Sequence, residues 1–243
     1  GTTSSGGSTM PVPPRARAQA IATRRPAKHT LAVPLALRLA ARIQERPLED
    51  FFTDPTQLAN GLREFFEAVG PDGIVVTDPE VLADEIVSCS VDELPTATRV
   101  STAVEATGRL RSTFGDSAVL VAVLPGPASV AELRGDKASA GDIMQTLVKD
   151  FLGAGVDIIV FTETENASLA DYEPVLRTSA NMARFHRALT CLRGSAVSFL
   201  YAPTVVPLDE PRQETGLVFT ETDLPTDTSV TLVQDWVAAV RGG

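Results

Sequence analysis

The sequence predicts an α/β fold in which parallel strands alternate with helices, as a β/α barrel or as an open doubly wound sheet. Three observations carry this. Short, continuous apolar runs bounded by turn residues recur along the chain, the pattern of strands buried on both faces. Between them apolar residues return at three- and four-residue intervals, the period of helices with one buried stripe. Hydrophobic residues make up 44% of the 243, enough for a sizeable core. No GxGxxG opens a helix after a strand and no GxxxxGK[ST] occurs, so the usual nucleotide-binding form of the open sheet loses support.

Residues 1–9 are small, polar and glycine-rich ahead of Met10, and read as a cloning remnant. Residues 10–29 carry Pro11, Pro13, Pro14 and the arginines 15, 17, 24 and 25 without periodicity, which predicts a mobile basic arm. A single domain is expected over 30–243, beginning with a strand at Thr30–Val33 and a helix marked by Leu35, Leu39 and Ile43. Asp54-Pro55-Thr56-Gln57 supplies an N-cap, a proline at the first helical position and a glutamine at the third, and Gly70-Pro71 ends that helix. Strands follow at Gly73–Thr77, Ala118–Leu124 and Asp157–Thr162, with a helix through Ile143 and Phe151 between the last two. A long helix is predicted from about Pro174 to Leu192, then strands at Ala196–Tyr201 and Gly216–Thr220. Leu232, Val233, Trp236, Val237 and Val240 mark a closing amphipathic helix.

With 31 acidic against 21 basic residues, the formal charge of −10 opposes nucleic acid or an anionic membrane as partner. No apolar run reaches the roughly 18 residues of a membrane span, and no signal-peptide core is present. Cys89 and Cys191 stand far apart with no CxxC, which fits free thiols in a reducing cytoplasm.

Three segments in order resemble the uroporphyrinogen decarboxylase superfamily, a group of single-domain TIM-type (β/α) barrels. Arg38-Leu-Ala40-Ala-Arg42 follows Pro34 and keeps the spacing of the family's two carboxylate-binding arginines. At i, i+4 both guanidinium forks lie on one helix face, suited to bidentate carboxylate binding, although such a pair is also an ordinary solvated face. Gly73-Ile-Val-Val-Thr77-Asp78 resembles the second strand, whose terminal aspartate contacts the family's substrate. Asp78-Pro79-Glu80 is equally a helix N-cap. Asp157–Thr162 with Glu163-Thr164 resembles the strand ending in Glu-Ser, and Pro125-Gly126-Pro127 the turn after the middle strand. Phe219–Thr228 resembles the last strand and its exit loop. The resemblance implies Asp78, Arg38 and Arg42 as catalytic residues, with Glu163, Thr164, Gly126, Tyr201 and Thr222 binding substrate.

Departures from the family restrict the function. The histidine of true uroporphyrinogen decarboxylases is replaced by Thr222, and no tyrosine follows the Gly126 turn in Ala131-Glu132-Leu133-Arg134. The branch of zinc-dependent methyltransferases requires a His-x-Cys pair, which is absent, so no metal and no cofactor is expected. Residues 202–215, between Tyr201 and Gly216, are too few for a βαβ crossover of about 30 residues. Without its first 29 residues the chain is also short of the ~250 typical of an eight-fold barrel. The expectation is therefore a shortened or incomplete barrel, whose exposed strand edge a homodimer partner or completing subunit would cover. Its expected activity is that of a decarboxylase-like or C–C lyase enzyme on a small carboxylated molecule. The alternatives are a non-catalytic or partner-dependent barrel that binds a ligand or subunit and, more weakly, a zinc-independent methyltransferase.

Overall fold

The computed structural model describes residues 11–23 and 29–243. In chain order the elements are α1 (Pro14–Ala22), β1 (Thr30–Val33), α2 (Leu37–Ile43), α3 (Leu48–Thr53), α4 (Pro55–Val69) and β2 (Gly73–Thr77). Then come α5 (Pro79–Ser88), α6 (Thr98–Phe114), β3 (Val119–Pro125), α7 (Pro127–Arg134), α8 (Ala140–Ala154) and β4 (Ile158–Thr162). The chain finishes with α9 (Glu173–Phe185), β5 (Leu189–Arg193), β6 (Thr204–Val205), β7 (Gly216–Phe219) and α10 (Val230–Arg241). Local chemistry explains most boundaries. Asp54 accepts from the N–H groups of Thr56 and Gln57 to start α4, and Gly70 ends it in the left-handed region at φ 68°.

All strand pairs are parallel. They form one sheet of order β2-β3-β4-β5 and a second of order β1-β7-β6. Two seams separate the sheets. At the first, Asp72 just before β2 exchanges hydrogen bonds with Ala32 of β1: its N–H donates to Ala32 O (2.9 Å) and its Oδ2 accepts from Ala32 N (2.7 Å). At the second, Tyr201 forms a parallel bridge with Cys191 of β5, three residues before β6 begins. The core contains Phe151, Phe161, Phe219 and Trp236, all fully buried. This is a parallel α/β architecture consistent with a TIM-like fold. Among the described residues no helix is long and apolar enough to cross a membrane.

Two expectations are corrected. Pro14–Ala22 is a helix rather than a mobile arm, because Arg15 and Arg17 are tied to buried aspartates at the N-terminal ends of the strands. Arg15 Nε lies 2.9 Å from Asp157 Oδ1, and Arg17 Nη2 lies 2.9 Å from Asp72 Oδ1. The proposed remnant 1–9, Met10, and Arg24 and Arg25 of the arm lie outside the described residues. The fifth strand is Leu189–Arg193, not Ala196–Tyr201, and the preceding helix stops at Phe185. The chain then turns at Arg187, a non-glycine residue at φ 57°, and Ala188 N returns to Ala183 O (2.8 Å). Leu189 and Leu192 continue the helical period across that break, so periodicity alone carries the helix too far. Neither the connection from β5 to β6 nor that from β6 to β7 contains an α-helix.

Candidate functional site

A cleft of about 890 Å³ opens at the C-terminal ends of the strands. Val75, Val123, Leu192 and Val205 supply apolar wall from four strands, with Leu35 beside them. Thr162, Arg193, Gly194, Ser195, Ala202 and Pro203 continue the lining. Among the described residues the acidic groups on it are Asp78, Glu80, Glu163, Glu165, Glu221 and Asp223, and Arg193 is the one cationic lining residue.

Asp78 stands where the sequence places it, at the end of β2 and on the cleft wall. It also caps α5, its Oδ1 accepting from Val81 N at 2.9 Å, so the capping reading holds together with a place on the cleft wall. Its Oδ2 accepts from Arg38 Nη1 at 2.6 Å. The same nitrogen lies 3.0 Å from Asp223 Oδ2, and Arg38 Nη2 lies 3.2 Å from Glu80 Oε2. Asp223, contributed by the loop after β7, also caps α2 by accepting from Leu37 N at 2.9 Å. Burial acts against the charge on Arg38, but its hydrogen bonds and attraction to Asp78 and then Asp223 outweigh this and raise its pKa. Burial raises the Asp223 carboxyl above the usual aspartate range, while Arg38 pulls in the opposite direction.

Arg38 is thus committed to protein carboxylates, and Arg42 is turned away from the cleft, Nη2 donating to Thr228 O at 2.9 Å. Glu163 is on the cleft wall but uses both oxygens at the start of α7, accepting from Ser129 N (2.9 Å) and Ala128 N (3.0 Å). Gly126 is the reason it fits: a side chain there would occupy the space of the Glu163 carboxylate. Thr222 lines the cleft, whereas Thr164 is exposed outside it. Tyr201 reaches the other end of β7, where its hydroxyl accepts from Leu217 N at 3.2 Å, so its side chain joins elements away from the cleft.

Sequence reasoning did not select Arg193 or Asp223 as site residues. Arg193 had the same signal as Asp78, a charged residue ending an apolar run, but the run was assigned to a helix. Its Nη2 donates to the backbone oxygen of Glu221. Burial lowers its pKa, partly offset by attraction to Glu221. Asp223 gave no local signal, because its partners lie about 186 residues earlier in the chain.

The zinc set of the methyltransferase branch is not present in these residues. Cys191 is fully buried on β5, where burial pushes its thiol pKa upward. Cys89 caps α5, His29 precedes β1 and His186 follows α9. No cluster of three or more His, Cys, Asp or Glu suited to a metal occurs among the described residues.

No protein-family model matches the sequence, and no curated protein matches it. Solved structures do match the fold. One is a methyltransferase from Methanosarcina mazei, with a TM-score of 0.71 at 13% identity, covering 95% of this chain and 98% of that one. At that identity the likeness shows a common fold and nothing finer.

Proposed function

We propose that the chain is a decarboxylase-like lyase that takes a small carboxylated molecule into the cleft at the C-terminal ends of its strands. The observation that carries the reading is the side-by-side placement of Asp78 and Asp223 on one guanidinium, that of Arg38, at the cleft wall. Two carboxyl groups in one site, one of them raised by burial, can divide acid and base roles. Loss of CO2 breaks a C–C bond and leaves its electron pair on substrate carbon, which must then take a proton. Asp223 is the group whose raised pKa suits delivery of that proton. Arg193 replaces Arg38 and Arg42 as the carboxylate anchor, since it is the cationic residue that lines the cleft. The fold shared with a methyltransferase and the resemblance to uroporphyrinogen decarboxylases support a strand-end site, and the residues present fit acid–base chemistry better than thiol activation.

The test is release of CO2 from a panel of small carboxylic acids by the wild type and by Asp223→Asn. Removal of a proton donor should lower turnover about 100-fold with the circular dichroism unchanged. Equal turnover in Asp223→Asn would overturn the role. A second reading, a barrel completed by a partner, is favoured by the helix-free connections on either side of β6. It is also favoured by a groove of about 490 Å³ lined by Leu208, Leu224, Pro225 and the exposed Leu232.

A further inference from the structure

The charges of the cleft are not equally available. Asp78 and Asp223 are held by Arg38, and Glu163 by two backbone N–H groups. Glu165 and Glu221 face the cleft from exposed positions, and among the described residues neither carboxylate forms an ion pair or accepts a hydrogen bond. Arg193 is in the same condition: among the described residues no carboxylate oxygen lies within 4.0 Å of its guanidinium. Yet Glu221 is close enough to attract it, and the guanidinium donates to the Glu221 backbone. A third group is also unmatched. Among the described residues the buried Thr162 hydroxyl has no hydrogen-bond partner, although Thr162 contributes to the cleft wall.

We infer that the ligand of this cleft is a small zwitterion, carrying a protonated amine or other cationic nitrogen in addition to a carboxylate. The inference rests on the proposed carboxylate site at Arg193 and names the class of molecule that site takes. Arg38 offsets Asp78, Asp223 and Glu80 only in part, and the unpaired Glu165 and Glu221 face a single lining arginine among the described residues, so the cleft keeps a negative potential on a chain whose formal charge is already −10. That potential repels a simple carboxylic acid and still more a polycarboxylate. A compact molecule with both charges avoids the penalty: its carboxylate meets the Arg193 fork and its cation lies toward Glu221 and Glu165. The Val75, Val123, Leu192 and Val205 wall accepts the carbon chain between them.

Isothermal titration of the full-length protein with matched probes tests this. The probes are ω-amino acids of three to six carbons, the carboxylic acids of equal length, and the corresponding alkylamines. The best amino acid should bind at least ten-fold more tightly than its matched acid and its matched amine. Glu221→Gln combined with Glu165→Gln should remove that advantage and leave binding equal to that of the plain acid, with thermal unfolding unchanged because both positions are exposed. Arg193→Met should abolish binding of acids and amino acids alike. Equal affinity for acid and amino acid, both lost in Arg193→Met, would overturn the zwitterion while leaving the carboxylate site in place. Binding of the amine alone, or of no probe, would overturn both.

Discussion

Arg38 decides what kind of site the cleft can be. A guanidinium with a free fork would receive a substrate carboxylate, but this one spends its donors on Asp78, Asp223 and Glu80. It therefore positions two acids. Substituting Arg38 by methionine leaves Asp78 and Asp223 partly buried without a counter-charge, at a cost of about 2–4 kcal/mol near neutral pH. The sign of the pH dependence follows from Asp223, whose folded pKa is already above its unfolded value. Such a group favours the folded state below its unfolded pKa, and that contribution is lost as pH rises through the folded value. Removing the guanidinium raises the folded value further, so the gap between wild type and Arg38→Met should widen from pH 4 to pH 7. Urea midpoints at several pH values check this; a constant gap would mean that Arg38 acts through packing on Phe52, which its guanidinium carbon approaches to 5.7 Å.

At the scale of elements, α1 contributes less through its sequence than through what it reaches. It is short, has no side-chain cap and buries Ala18, so its own propensity gives it little. Its arginines meet two aspartates with equivalent tasks. Asp72 before β2 and Asp157 before β4 each accept an N–H from the neighbouring strand, from Ala32 (2.7 Å) and Leu120 (2.9 Å) respectively. Each also pairs with a second arginine, Arg241 of α10 with Asp72 at 2.7 Å and Arg111 of α6 with Asp157. Asp72 thus joins α1, α10, β1 and β2 at a seam between sheets. Asp72→Ala should cost about 3–5 kcal/mol, because it strips two arginines and a buried N–H at once. Arg17→Met should cost only about 1–2 kcal/mol, since Arg241 remains. The urea midpoint should fall in that order without a change of slope; equal losses would show that the helix itself, rather than the aspartate, secures the seam.

At the scale of the molecule, the chain supplies seven strands among the described residues and leaves helices out of the connections around β6. Trp236 ties α10 to this region, its indole N–H donating to Val206 O at 2.9 Å. Leu232, on the same helix, is 52% exposed at the groove with Leu208 and Leu224. If a second copy covers that groove, sedimentation of the wild type gives a dimer and Leu232→Glu gives a folded monomer, because a buried charge there has no partner. A wild-type monomer would remove the partner-completed reading and leave the lyase reading untouched.

The amino-acid sequence by itself determined the parallel α/β class, the strand ends at Thr77 and Thr162, the caps at Asp54 and Asp78, and the acidic balance. These are local or compositional quantities: apolar period, capping chemistry and charge are all set by near neighbours in the chain. Tertiary structure decided the rest. Whether Arg38 was a substrate anchor depended on Asp223, about 185 residues away, and whether Pro14–Ala22 was a mobile arm or a helix depended on Asp72 and Asp157. The β5 strand was hidden because Arg187 turns the chain without a glycine or proline to mark the break. An arginine reads the same in sequence whether it is free or paired. Only the fold distinguishes the two, by bringing distant carboxylates to Arg38 and, among the described residues, none into ion-pair reach of Arg193.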